Sequence, residues 1–202
     1  MQIKESINDV GGKAATLHNM AYLAGETGDK ARQLDLYLQA ASALAQIRAY
    51  VDLVRVLSNL GVADASKNLV YFAQAMWLTL RIQAPLASTI YLIRALYNAV
   101  PQGDELQALL GVTAMFFCKH RGKGHPQLKE LQDISWKMIA EAAARQGIET
   151  PEAFKTWFTQ QRLNDPEYFL PRLNQRLEEI VGDGWLFDQL SVNTNLKKQC
   201  DK

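Results

Sequence analysis

Residues 14–41, AATLHNMAYLAGETGDKARQLDLYLQAA, contain two runs of apolar side chains with helical spacing and a turn between them. In each run the apolar residues recur at the i, i+3, i+4 and i+7 positions, which form one stripe of an α-helix. Gly28 and Asp29 separate the runs and are typical of a turn, because glycine accepts backbone angles that a side chain resists. The stripes consist of Leu17, Met20, Ala21 and Ala24, and of Leu34, Tyr37, Leu38 and Ala41.

The helical period continues along almost the whole chain, and no segment shows the alternation typical of a β-strand. Breaks in the period are predicted at Gly61, at 101–104 and at 121–126. Asp64 and Asp104 are candidate N-caps for the helices that follow the first two breaks. Two segments combine a capping residue, a proline at the first helical position and an early carboxylate, which marks helix starts: 150–152 and 165–167. The sequence therefore predicts an all-α protein of about eight to ten short-linked helices.

Composition narrows the class of protein. Of the 202 residues 48% are hydrophobic, which is too many for a disordered chain, and 22 basic residues nearly balance 21 acidic ones. That balance argues against nucleic acid as the partner, because non-specific binding needs a broad positive field. Two cysteines, Cys118 and Cys200, and an N-terminus without an apolar segment favour a cytoplasmic protein. No apolar run reaches the length of a membrane span, so no membrane partner is expected.

Large and small apolar residues in 14–41 follow a known repeat pattern. The matching residues are Leu17, Met20 and Ala21 on the first helix, Gly28 and Asp29 in the turn, and Leu34, Tyr37 and Ala40 on the second helix. In these positions the segment resembles a tetratricopeptide repeat, although Gln33 stands where that family usually has alanine. Gly61 follows Gly28 by 33 residues, close to the family period of about 34. A second copy over 47–80 matches fewer positions, and a third is weaker still.

The resemblance implies a right-handed solenoid of antiparallel helical hairpins closed by a C-terminal helical cap. We assign 1–125 to the repeats, 126–190 to the cap and 191–202 to a polar tail. It also implies a groove for a peptide or partner protein, lined by the first helix of each repeat. Transferred by position, the groove residues are His18, Tyr22 and Glu26, then Arg48, Val51, Arg55 and Asn59, then Arg94 and Tyr97.

A polar stripe supports part of this groove independently of the resemblance. Arg48, Asp52, Arg55 and Asn59 recur at i, i+4, i+7 and i+11 on one helix face. Two interpretations stay open: a solvated face, or a surface that recognises anions, because the planar guanidinium of arginine fits carboxylates.

Other candidate sites are weaker. Cys118, His120 and His125 supply three potential zinc ligands, one fewer than structural zinc generally takes, so no metal is expected. The basic loop 119–125 lacks the spacing of a phosphate-binding P-loop and is better explained as a basic turn. The sequence also lacks the usual nucleophile, zinc-protease and dinucleotide motifs, so we expect no enzyme and no cofactor.

The expected function is therefore that of a non-catalytic scaffold for a peptide or protein, with a second copy of the chain as a further candidate partner. The alternative is a sensor or enzyme that holds a small molecule in the aromatic-rich C-terminal half. Its aromatic residues are Phe154, Trp157, Phe158, Tyr168, Phe169, Trp185 and Phe187.

Overall fold

A computed structural model describes residues 2–82 and 84–192, with side chains from residue 9 onward. Every regular element in these ranges is helical, which confirms the all-α prediction. A further helical turn begins at residue 189. The helices are α1 (Gln2–Glu26), α2 (Lys30–Gln46), α3 (Tyr50–Ala63), α4 (Asn68–Thr79), α5 (Leu86–Ala99), α6 (Glu105–Arg121), α7 (Leu128–Arg145), α8 (Pro151–Gln160) and α9 (Pro166–Val181).

The chain folds into two compact units. The first unit contains Met1–Gln83 and Val181–Lys202, and the second contains Ala84–Ile180. The C-terminal segment after α9 thus belongs to the same unit as the first four helices. The predicted repeat and cap ranges stay predictions. Of the predicted polar tail, residues 193–202 lie outside the described ranges, whereas Val192 is fully buried.

Neighbouring helices of the first unit pack in chain order, α1 on α2, α2 on α3 and α3 on α4. Small residues such as Ala21 and Ala40 are completely buried, which lets the helix axes approach closely. Leu53 and Leu57 of α3 fill the space between the helices and are also fully buried.

Gly28 lies in the predicted turn between α1 and α2, whereas Gly61 does not lie in a turn. Gly28 has a φ of 78°, and Asp29 begins α2 by accepting a hydrogen bond from Arg32 N at 3.1 Å. Gly61 lies inside α3, where an added Cβ would be 2.6 Å from the ring of Phe72. The glycine is therefore required for close packing of α3 on α4. Gly28 and Gly61 are 33 residues apart, but the first lies in a turn and the second at a helix crossing, so they are not equivalent positions of two turns.

The prediction that Asp64 caps the helix after Gly61 was also wrong. Asp64 terminates α3. Its Oδ1 accepts two hydrogen bonds from Ser66, one from the backbone N–H at 3.0 Å and one from the side-chain Oγ at 2.6 Å. These bonds form a local turn, and α4 begins only at Asn68. The predicted caps of α6 and α8 are confirmed, because Asp104 and Thr150 each accept a backbone N–H of the first helical turn.

In the second unit α6 packs against both α5 and α7. Its Gly111 faces α7, where an added Cβ would lie 2.9 Å from Cγ1 and 3.1 Å from the backbone N of Ile139. Arginines of α9 hold the start of α6, since Arg172 pairs with Glu105, and Arg176 Nη2 lies 3.1 Å from Asp104 Oδ2.

Gly111→Ala is expected to lower the free energy of unfolding by about 1–3 kcal/mol, because the new methyl group meets the backbone of α7. Gly12→Ala is the matched control: Gly12 lies in α1 with no atom within 4 Å of an added Cβ, so alanine should stabilise the helix by up to about 1 kcal/mol. Urea unfolding measures both. Equal effects of the two substitutions would contradict the close crossing.

Candidate partner-binding surface

Polar side chains from α1, α2 and α3 meet on the first unit. We call this set the α1–α3 cluster, and it consists of His18, Gln33, Tyr37, Asp52, Arg55 and Asn59. Three of these, His18, Arg55 and Asn59, belong to the groove predicted from the sequence. The packing of the three helices thus brings together residues that are up to 41 positions apart in the chain.

His18 lies beside an aromatic ring and an ion pair. Its ring centroid is 5.6 Å from that of Tyr37, with 60° between the planes. Burial lowers the pKa of His18, the charge of Arg55 lowers it further, and Asp52 acts in the opposite direction. Within the described part of the chain, the buried Nδ1 of His18 has no hydrogen-bond partner. At neutral pH the imidazole of His18 is thus uncharged, and its unpaired Nδ1 lies beneath the surface of the cluster.

Gln33 lies over a glycine of α1. A Cβ at Gly25 would be 2.2 Å from Gln33 Nε2, so a larger residue at position 25 would push the amide of Gln33 out of this orientation. The Oε1 atom of Gln33 is buried and has no hydrogen-bond partner among the described residues. An unsatisfied buried acceptor is costly, and such groups usually need an explanation in a native structure.

Tyr37 and the α3 residues complete the cluster. Burial raises the pKa of Tyr37, while hydrogen bonds with the side chains of Gln33 and Asn59 act in the opposite direction. On α3, Arg55 Nη2 lies 3.0 Å from Asp52 Oδ1, and both side chains are more than half exposed. The predicted polar stripe is therefore partly self-paired, with an exposed guanidinium at its centre.

Exposed apolar groups accompany the cluster. Tyr22 of α1 is 58% exposed and follows His18 by one helical turn, on the same side of the helix. Val51 of α3 is 54% exposed. Glu26 and Arg48 are exposed as well, and Arg48 has a φ of 60° in the turn between α2 and α3. All the predicted groove residues of the first unit except His18 and Asn59, which are half-buried, are exposed.

The remaining two predicted groove residues lie in the second unit, on α5. Arg94 is exposed. Tyr97 is only 1% exposed, and its hydroxyl accepts a hydrogen bond from Arg145 Nη1 at 3.3 Å. It follows Ile93 by one helical turn and shares its buried face. Tyr97 is thus a core residue that offers no surface to a partner.

The three potential zinc ligands have other surroundings. Cys118 is buried 3.7 Å from Ser135 Oγ, and burial raises the pKa of its thiol. The ring of His120 contacts that of Phe116 at 4.3 Å between centroids, with 39° between the planes. His125 Nδ1 accepts a hydrogen bond from Gln127 N at 3.2 Å. Over residues 2–82 and 84–192, no three metal-ligating side chains form a group that suits a metal ion.

The second unit contains a polar cavity of about 330 Å³. Trp157 lines it and donates a hydrogen bond from Nε1 to Gln146 Oε1 at 3.0 Å. Gln161 also lines it and accepts at its backbone oxygen from Arg172 Nη1 at 2.9 Å. The aromatic set of the C-terminal half does not gather around this cavity, because Trp185 and Phe187 belong to the first unit.

Lowering the pH is expected to destabilise the folded chain through His18. Because its folded pKa lies below the unfolded value of 6.5, the unfolded chain binds the proton first. Stability therefore falls as the pH drops through 6.5 and stops falling below the folded pKa. Urea unfolding at about pH 7.5 and about pH 5.5 measures this loss. His18→Gln should lose less stability than the wild type over that interval, and an equal loss would contradict the assignment.

Sequence reasoning missed Gln33, although a signal was present. Gln33 occupies the position where the repeat pattern expects alanine, so a polar residue there departs from ordinary helix packing. Its partner position, Gly25, is a helical glycine without a turn to explain it.

In the described part of the chain, no helix combines the length and apolar character that crossing a bilayer requires. Comparisons with models of known protein families, with curated proteins and with solved structures found no match to this chain.

Proposed function

We propose that this chain is a non-catalytic interaction module that binds an extended peptide or a partner protein on the surface of α1 and α3. The proposal includes a tetratricopeptide-like arrangement, a right-handed solenoid of helical hairpins, and a cytoplasmic location. The observation that carries it is the α1–α3 cluster, where two buried polar atoms without partners lie beside exposed Tyr22 and exposed Arg55.

The chemistry of the cluster favours recognition of another chain. Tyrosine and arginine are the residue types that most often dominate binding energies at protein interfaces. Tyr22 presents an aromatic face, and Arg55 presents a guanidinium whose carboxylate partner leaves it largely in solvent.

Arg55→Glu is expected to weaken partner capture at least about tenfold, because it reverses the exposed charge at the centre of the cluster. The control is Lys155→Glu, an equal charge change on an exposed residue of α8 in the second unit. Affinity purification from a cell lysate with quantitative mass spectrometry compares both variants with the wild type, and circular dichroism confirms that they fold. A partner lost only with Arg55→Glu supports the proposal. If every captured protein is retained equally by both variants, this surface is not the binding site.

A second candidate function rests on the cavity of the second unit. Its volume of about 330 Å³ suits a small ligand, and Glu105, Gln146 and Gln161 supply hydrogen-bonding groups around the indole of Trp157. A panel of polar metabolites tested by thermal denaturation examines this role. A ligand that raises the melting temperature of the wild type, but not of a folded Gln161→Leu variant, would support a sensor function.

A further inference from the structure

One face of α4 holds a segment of the same chain. Gln74 and Trp77 lie three residues apart on α4 and are fully buried. The segment that covers them is residues 184–187, Gly-Trp-Leu-Phe, which follows the end of α9. We call it the C-terminal strap. Both parts belong to the first unit.

Gln74 binds the backbone of the C-terminal strap at two points. Its Oε1 accepts a hydrogen bond from the N–H of Leu186 at 2.9 Å, and its Nε2 donates to the carbonyl oxygen of Gly184 at 3.2 Å. One side-chain amide thus satisfies a donor and an acceptor two residues apart. Contacts of this kind recognise a peptide backbone irrespective of its side chains, and a fully buried amide without them would be costly.

Trp77 binds the alternate side chains of the strap. Its ring centroid is 5.2 Å from that of Trp185, edge to face, and 5.8 Å from that of Phe187. The two strap rings also contact each other at 5.3 Å. Such aromatic contacts add to the burial of apolar area, and they select for aromatic residues at two positions separated by one.

The strap is joined to α9 through glycines. Gly182 has a φ of 53°, which favours glycine, and an added Cβ at Gly184 would lie 3.1 Å from the carbonyl oxygen of Val181. Gly184 is exposed, and Trp185 and Leu186 are only half-buried. The strap therefore contacts α4 through one side and keeps the other in solvent, as a bound peptide does.

We propose that the face of α4 formed by Gln74 and Trp77 is a peptide-binding site that the C-terminal strap occupies in the free chain. Its ligand class is a segment with two aromatic residues separated by one, preceded by a small residue. This site is independent of the α1–α3 cluster. A partner segment must displace the strap, whose tethering gives it an effective concentration in the millimolar range.

Fluorescence anisotropy with a labelled peptide of residues 182–192, GDGWLFDQLSV, tests the proposal on the full chain. The double variant Trp185→Ala/Phe187→Ala removes both strap rings from Trp77, so the strap competes less well and the peptide should bind at least about tenfold more tightly than to the wild type. Adding Gln74→Ala to that double variant should weaken binding at least about tenfold. A peptide with alanine at both aromatic positions is the ligand control and should not bind.

Two results would overturn the proposal: peptide binding no tighter to the double variant than to the wild type, or binding that does not depend on Gln74. If circular dichroism shows that the double variant is unfolded, Leu186→Pro replaces it. That substitution keeps both aromatic rings, removes the N–H that donates to Gln74 Oε1, and replaces the leucine side chain by a ring that fixes φ at position 186. The same two comparisons then decide the outcome.

Discussion

Trp77→Ala is expected to lower the free energy of unfolding by about 3–5 kcal/mol. Trp77 is 1% exposed, and it contacts the rings of Trp185 and Phe187. The guanidinium carbon of Arg81 also lies 3.4 Å from its ring centroid. Alanine would leave a cavity and remove the surface on which the C-terminal strap packs.

The matched control for Trp77→Ala is Trp136→Ala. Trp136 lies on α7 and is 52% exposed, so its loss should change stability by less than about 1 kcal/mol. Urea unfolding followed by circular dichroism measures both variants. Comparable losses for the two tryptophans would mean that burial against the strap does not stabilise the first unit, and the packing described for α4 would be incorrect.

In the second unit, Leu109→Ala is expected to lower the free energy of unfolding by about 2–5 kcal/mol. Leu109 is fully buried in α6, the helix that packs against both α5 and α7. The lost methyl groups leave a cavity that three helices cannot close without moving.

Leu190→Ala serves as the control for Leu109→Ala, because Leu190 is 77% exposed and the same atoms are removed from a solvent-facing position. Its stability should stay within about 0.5 kcal/mol of the wild type in the same urea titration. A small effect of Leu109→Ala would show that α6 is not the centre of the second unit.

Helix positions could be predicted from the sequence because they depend on local signals. Gly28 with Asp29, Asp104 and Thr150 each act within a few residues, through backbone angles or a single capping hydrogen bond. Gly61 misled the prediction because a glycine has two uses, a turn and a close helix crossing. Only the position of Phe72 on the next helix distinguishes them.

The α1–α3 cluster could be predicted in part. The spacing of Asp52, Arg55 and Asn59 on one helix face was readable, because it follows the helical period. The contribution of Tyr37 was not, because its apolar ring also suits a core position in the repeat pattern. The C-terminal strap and the α4 residue that it contacts are more than 100 residues apart in the chain. Helical periodicity contains no information about such distant pairings.

The contact between Gly25 and Gln33 has a consequence for anyone who transfers this surface to another scaffold. Substitutions at the two positions depend on each other. A larger residue at 25 displaces the amide at 33, and a smaller residue at 33 removes the contact that disfavours a side chain at 25. A graft that copies only the exposed residues of α1 and α3 would lose the amide orientation beneath them. Sequence libraries built on this face should therefore randomise both positions together.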